Sequence, residues 1–177
     1  RELSDQQQRY AAVSQHLLAK TLPYTVGFNY LLKGIRIHGQ WYPVVKMEWV
    51  QGEPLNLFIQ KNINNPAIMI HLSNRWIEMI KSLQQANIAH GDLQHGNVLV
   101  VNNDFKLIDY DGMYVPTLSG KPSHELGHRN YQHPLRNEHD FDLYIDNFAA
   151  WVIYISLISL SIDPNLWFRF DAGEEHL

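Results

Sequence analysis

Apolar residues recur along this chain in two rhythms, every three to four positions and every second position, and the alternation between them assigns most of its elements. Ser4 followed by Gln7 has the form of a capping box, and Tyr10, Val13 and Leu17 then follow at helical spacing until Leu22-Pro23, which predicts a first helix. FNYLLKGIRI (28–37) and QWYPVVKMEWV (40–50) are rich in aromatic and β-branched residues and are joined by His38-Gly39, the signature of an antiparallel hairpin. QGEP (51–54) breaks that pattern. Asn65-Pro66 opens a second helix, in which Met69, Leu72, Trp76, Ile80 and Leu83 form one stripe running towards Ala89. VLVV (98–101) and FKLI (105–108) flank Asn102-Asn103-Asp104 and predict a second hairpin. From Asp109 to about Asn137 no period is visible, so this is read as a long functional loop, and a third long helix is expected from about Asp140 to Leu160.

Composition narrows the class. With 177 residues, 45% hydrophobic and 12% aromatic, the chain can bury a real core, and one globular domain is the default. It has no cysteine, which excludes a disulfide framework and cysteine-bound metal and fits a reducing compartment, so a cytoplasmic address is expected. Fourteen Lys and Arg against 18 Asp and Glu, with no basic block, give no nucleic-acid or anionic-membrane surface. The most apolar run, FAAWVIYISLISL (148–160), is shorter than the roughly 18 residues of a membrane span, and a buried helix is expected there. The chain begins at Arg1 without an initiator Met or a leader, which suggests a fragment of a longer protein.

The candidate chemistry lies in IAHGDLQHGNVLV (88–100) and just beyond it. Asp92, Asn97 and Asp109 sit at turn or strand-end positions bracketing one short hairpin, which can bring all three to one mouth. Any one of them alone reads as a turn cap. Together they supply hard oxygen ligands for magnesium, which keeps substrate phosphates in its shell, and a separate carboxylate to accept a hydroxyl proton.

HGDLQHGN (90–97) followed by LIDYDG (107–112) resembles the catalytic loop and metal-binding segment of the protein kinase superfamily, in the His-Gly-Asp form also used by aminoglycoside and choline phosphotransferases. On that resemblance His90, Asp92, Leu93 and Asn97 fall on the catalytic loop, and Asp109 takes the place of the Asp in Asp-Phe-Gly. GHRNYQHP (127–134) is similar to the end of an activation segment, with Gly127, Tyr131 and Pro134 in register, and Asp146 matches the helix Asp that holds the catalytic-loop backbone. KMEWVQGE (46–53) resembles the hinge. The resemblance therefore implies a protein-kinase-like α+β fold, Asp92 and Asn97 as catalytic residues, and Asn97 and Asp109 as magnesium ligands. It also implies ATP held at Met47 as gatekeeper, at Glu48 and Val50 through their main chain, at Glu53 through the ribose, and on Leu99 as the floor. Residues 1–50 would be the remnant of a small lobe and 51–177 a C-terminally truncated large lobe.

The departures shape the functional expectation. Gly91 replaces the Arg of the kinase loop, Gln94 replaces the Lys on the γ-phosphate, Asp111 precedes Gly112 where Gly is usual, and Leu135 replaces a Glu. No glycine-rich phosphate loop occurs, Lys46 lies too near the catalytic loop to be the strand Lys, and the first helix has Val13-Ser14 where the Lys-paired Glu belongs. The expected function is an ATP- and magnesium-dependent phosphotransferase acting on a protein Ser or Thr, inactive as this chain alone. The alternatives are a small-molecule phosphotransferase of the aminoglycoside or choline kinase type and a non-catalytic pseudokinase scaffold. A zinc peptidase built on His124-Glu125-Leu126-Gly127-His128 is disfavoured, because the motif lies in the least periodic part of the chain, where the helix it needs is not expected.

Overall fold

A computed structural model describes residues 2–173, 176 and 177. Helix α1 (Glu2–Lys20) buries the expected stripe of Tyr10, Val13 and Leu17. It begins ahead of Ser4, so that residue does not precede the first turn, and the side chain of the proposed cap lies outside the described residues.

Strands β1 (Phe28–Ile37) and β2 (Gln40–Met47) pair antiparallel from Phe28 opposite Met47 to Ile37 opposite Gln40. His38 and Gly39 both adopt positive φ, 47° and 83°, the backbone that a tight two-residue turn needs to match strand twist. The register shifts between Leu31 and Ile35, where a Cβ on Gly34 would fall 2.0 Å from a methyl of Val44. β2 stops at Met47 and does not run to Val50. Beyond the Glu48 N–H bond to Gly27 O, the opposite chain turns away, and Val26 N–H goes to the Tyr110 hydroxyl.

A three-stranded sheet has the order β3 (Glu53–Pro54), β4 (Val98–Val101), β5 (Asp104–Leu107). The expected β4–β5 hairpin closes on Asn102 and Asn103, at φ 52° and 61°. Three elements had no counterpart in the sequence reading: β3, α2 (Leu55–Asn62) and α5 (Asn165–Arg169). Each is eight residues or fewer, too short to display a period, and α2 starts from Pro54 without a side-chain cap.

α3 (Pro66–Gln85) starts as expected, with the Asn65 side chain accepting from Ile68 N–H and Pro66 in the first turn. Met69, Leu72, Trp76, Met79 and Leu83 are buried in it, while Ile80 lies at the flank of the stripe. α4 (Asn147–Ile162) begins about seven residues later than the sequence suggested. Asp and Asn side chains capture the preceding backbone: Asp140 accepts from Asn137 N–H at 2.9 Å and Asp142 from Tyr144 N–H at 2.7 Å. α4 packs on α3, and the Trp76 indole donates to Ala150 O at 3.0 Å. Only one face of α4 is buried, through Ala149, Ile153, Leu157 and Leu160, whereas Trp151, Ile155 and Ile162 are exposed. Among the described residues, no helix is long and apolar enough to cross a membrane. The 109–137 stretch is irregular apart from two 3-10 turns, Pro116–Leu118 and Arg129–Tyr131, and an isolated antiparallel bridge from Tyr114 to Ala89.

Candidate functional site

The loop between α3 and β4 is held by main-chain anchors. Asp146, buried at the start of α4, accepts from the N–H groups of both His90 and Gly91, the latter at 2.8 Å. Burial pushes the Asp146 carboxyl up, and the nearby His90 and the two N–H donors act against that. His90 is fully buried, its Nε2 lies 3.0 Å from Ile108 O and its Nδ1 accepts from Asp92 N–H at 3.4 Å, so the ring ties this loop to the end of β5. Gly91 has φ +84°, and a Cβ on it would lie 2.0 Å from Gly112 O. The 90–92 and 109–112 segments therefore meet main chain to main chain, at a closeness only glycine allows.

That contact brings the three candidate residues to one end of the sheet. Asn97 Nδ2 donates to the Asp92 carboxylate at 2.9 Å and to Asp92 O at 3.0 Å, bonds that do not use the amide oxygen. Ile108 N–H donates to Asn97 O at 3.1 Å, which sets Asp109 beside them at the strand end. The second Asp92 oxygen accepts from His128 N–H at 2.6 Å. Asp109 has φ 65° and faces solvent. Desolvation by its surroundings, then the neighbouring Asp111 carboxylate and to a smaller degree Asp92, hold its carboxyl above the ordinary range. Glu125, on the loop that crosses the site, is raised by burial and by the same three carboxylates. Oxygen donors with surplus negative charge are what a hard divalent cation neutralises, so Asn97 and Asp109 fit magnesium.

A cleft of about 600 Å³ opens from Asp109 and Asp111 towards the segment after β2. Met47, Glu48, Val50 and Leu99 line it, as do Phe28 and Tyr10. Glu48 N–H is taken by Gly27 O, so its carbonyl is the group left to a ligand. Asp92 and Asn97 stand outside this lining, next to its acidic end, and Glu53 is not part of it: on β3 it pairs with Val100 of β4, and its carboxylate bonds Lys61.

Two features escaped the sequence reading. Tyr10, seen only as part of an apolar stripe, donates its hydroxyl to Asp111 and stacks on Tyr30 at 4.9 Å, so α1 forms a wall of the cleft. Arg136, which carried no motif signal, donates to Gly91 O at 2.8 Å. The His-Glu-x-x-His stretch is not helical: His124 Nε2 lies 2.8 Å from Asp5, and His128 Nδ1 accepts from Asn130 N–H, which sets the two rings to different tasks.

No protein-family profile matches the sequence, and no curated protein matches it. Solved structures do match: the kinase PK-1 of Cydia pomonella granulovirus aligns with a TM-score of 0.59 at 20% identity, over 90% of this chain and 60% of that one. The chain thus spans about 60% of the length of that kinase. Paired small sheets, the α3–α4 helical layer and this likeness together give the chain a kinase-like α+β fold.

Proposed function

We propose that the chain carries the reaction centre of an ATP- and magnesium-dependent phosphotransferase that moves the γ-phosphate to a hydroxyl, with a protein Ser or Thr as acceptor. The observation that carries this reading is the Asn97 amide bonded to the Asp92 carboxylate, beside Asp109 at the acidic end of a nucleotide-sized cleft. In this reading Asp92 takes the acceptor's proton on a carboxylate lone pair that the bonds from Asn97 and His128 do not use. Asn97 and Asp109 hold magnesium, which when bound draws charge from the phosphate oxygens. The Glu48 carbonyl and Val50 main chain meet the adenine under Met47, and Leu99 lies below the ring. Residues 1–50 serve as the small-lobe part and 51–177 as the large-lobe part of the same unit.

The test is ATP-dependent phosphotransfer by the full-length natural protein. Asp92→Asn should leave magnesium-nucleotide affinity within about twofold and lower turnover by a factor of about 100 or more. Asp109→Asn should lose affinity and turnover together. Full turnover in Asp92→Asn would overturn the assignment of the base, and equal losses of binding in both variants would merge the two roles.

A further inference from the structure

We propose that Arg136 is the positioning residue of the Asp92 loop, delivering from the far end of the 109–137 segment the cationic anchor that the loop does not carry itself. The inference rests on the phosphotransferase reading for its kinetic consequence, and on geometry alone for the anchor. Gly91 has φ +84° and no room for a side chain, because its Cβ position is occupied by the Gly112 carbonyl. Within the loop only His90 Nδ1 touches the peptide before Asp92, at 3.4 Å from its N–H, so further anchors must come from elsewhere in the fold.

It comes from two sides. Asp146 accepts from Gly91 N–H at 2.8 Å, and Arg136 Nη1 donates to Gly91 O at 2.8 Å. Gln132 reinforces the second side, with its Nε2 3.5 Å from Gly91 O and its Oε1 accepting from Arg136. Arg136 Nη2 reaches Glu125 O at 3.4 Å, so one guanidinium ties the reaction loop to the segment that crosses it. Arg136 Nε is buried without a partner among the described residues. A carbonyl could be satisfied by a neutral donor with less desolvation, so the choice of a charge needs a reason. The carboxylates of Asp146 and Asp92, and to a smaller degree Asp140, provide it: they favour the cation where burial disfavours it. The orientation of the Gly91–Asp92 peptide sets where the Asp92 carboxylate points, and an error of about 1 Å in such a group can lower a rate by about 100-fold.

The experiment compares Arg136→Gln with Arg136→Lys in the full-length natural protein by amide hydrogen exchange, nucleotide affinity and phosphotransfer rate. In Arg136→Gln the His90 and Gly91 amides should exchange at least tenfold faster, while Val100 and Phe105 in the neighbouring hairpin keep their wild-type rates. Nucleotide affinity should hold within twofold and turnover fall between tenfold and 100-fold. Arg136→Lys, which keeps the charge and one donor, should recover part of both losses. Unchanged exchange at His90 and Gly91, or acceleration spread evenly through the chain, would overturn the proposal, as would a Lys variant no better than Gln. If the wild-type protein transfers no phosphoryl group, the functional reading fails while the exchange pattern still decides the role of Arg136.

Discussion

Gly91 and Gly120 have nearly the same positive φ, +84° and +81°, but only Gly91 faces another backbone: nothing lies within 4 Å of a Cβ on Gly120. Gly120→Ala should therefore feel backbone strain alone, about 1–2 kcal/mol, whereas Gly91→Ala adds a clash with the Gly112 carbonyl and should destabilise by more. Urea denaturation of both variants measures the difference, and equal losses would remove the main-chain contact as the spacer of the site. At this scale the sequence was legible for placement: Asp92, Asn97 and Asp109 come together, and Asp146 holds the loop's backbone. It was opaque for Tyr10 and Arg136. Tyr10 looks like any apolar position of an amphipathic helix, and its partner Asp111 is 101 residues away. Arg136 acts on a carbonyl, which has no sequence signature at all.

Helix α1 is fastened to the crossing loop by Asp5. Its carboxylate bonds Lys121 at 2.7 Å and Arg9 at 3.0 Å, with His124 at 2.8 Å, and Arg9 also donates to Pro122 O at 2.8 Å. The bonds from Lys121 and then Arg9 hold the Asp5 carboxyl well below the usual range. A depressed native value means that the stabilisation is full above the ordinary carboxylate pKa of about 3.9 and declines progressively as pH falls from there towards the native value. Limited proteolysis of the 119–128 segment should accelerate as pH is lowered from 5 to 3, and Asp5→Asn should be cut fast at both ends of that range. Because the side chain is about one-third exposed, added salt should weaken the attachment at pH 5. Elements themselves were legible where they were long enough to repeat. The two hairpins and α3 followed from period and turn chemistry, while β3, α2 and α5 offered too few residues, and the late start of α4 was decided by Asp and Asn side chains competing for its first turn.

The whole molecule carries an asymmetry of cover. β1 and β2 form a sheet of two strands, and Leu31, Leu32, Ile35, Ile37, Trp41 and Tyr42 on it are all exposed. Such a surface, with open strand edges, favours association. The 177-residue chain should sediment above its monomer mass of 20.7 kDa at micromolar concentration, and Leu32→Lys with Trp41→Lys should return it to monomer without altering its circular dichroism. A monomeric wild-type chain would show that the face is tolerated by water. The attachment of α1 described above has a further meaning in time. Its bonds join residues 113 and 116 positions apart, whereas both hairpins join neighbours across two-residue turns. Closing so long a loop is entropically slow, so the hairpins should be native in the folding transition state while the first helix is still searching. Asp5→Asn would then leave the refolding rate unchanged and show its whole effect in faster unfolding, which makes the acidic end of the cleft the last part of the protein to form and the first to open.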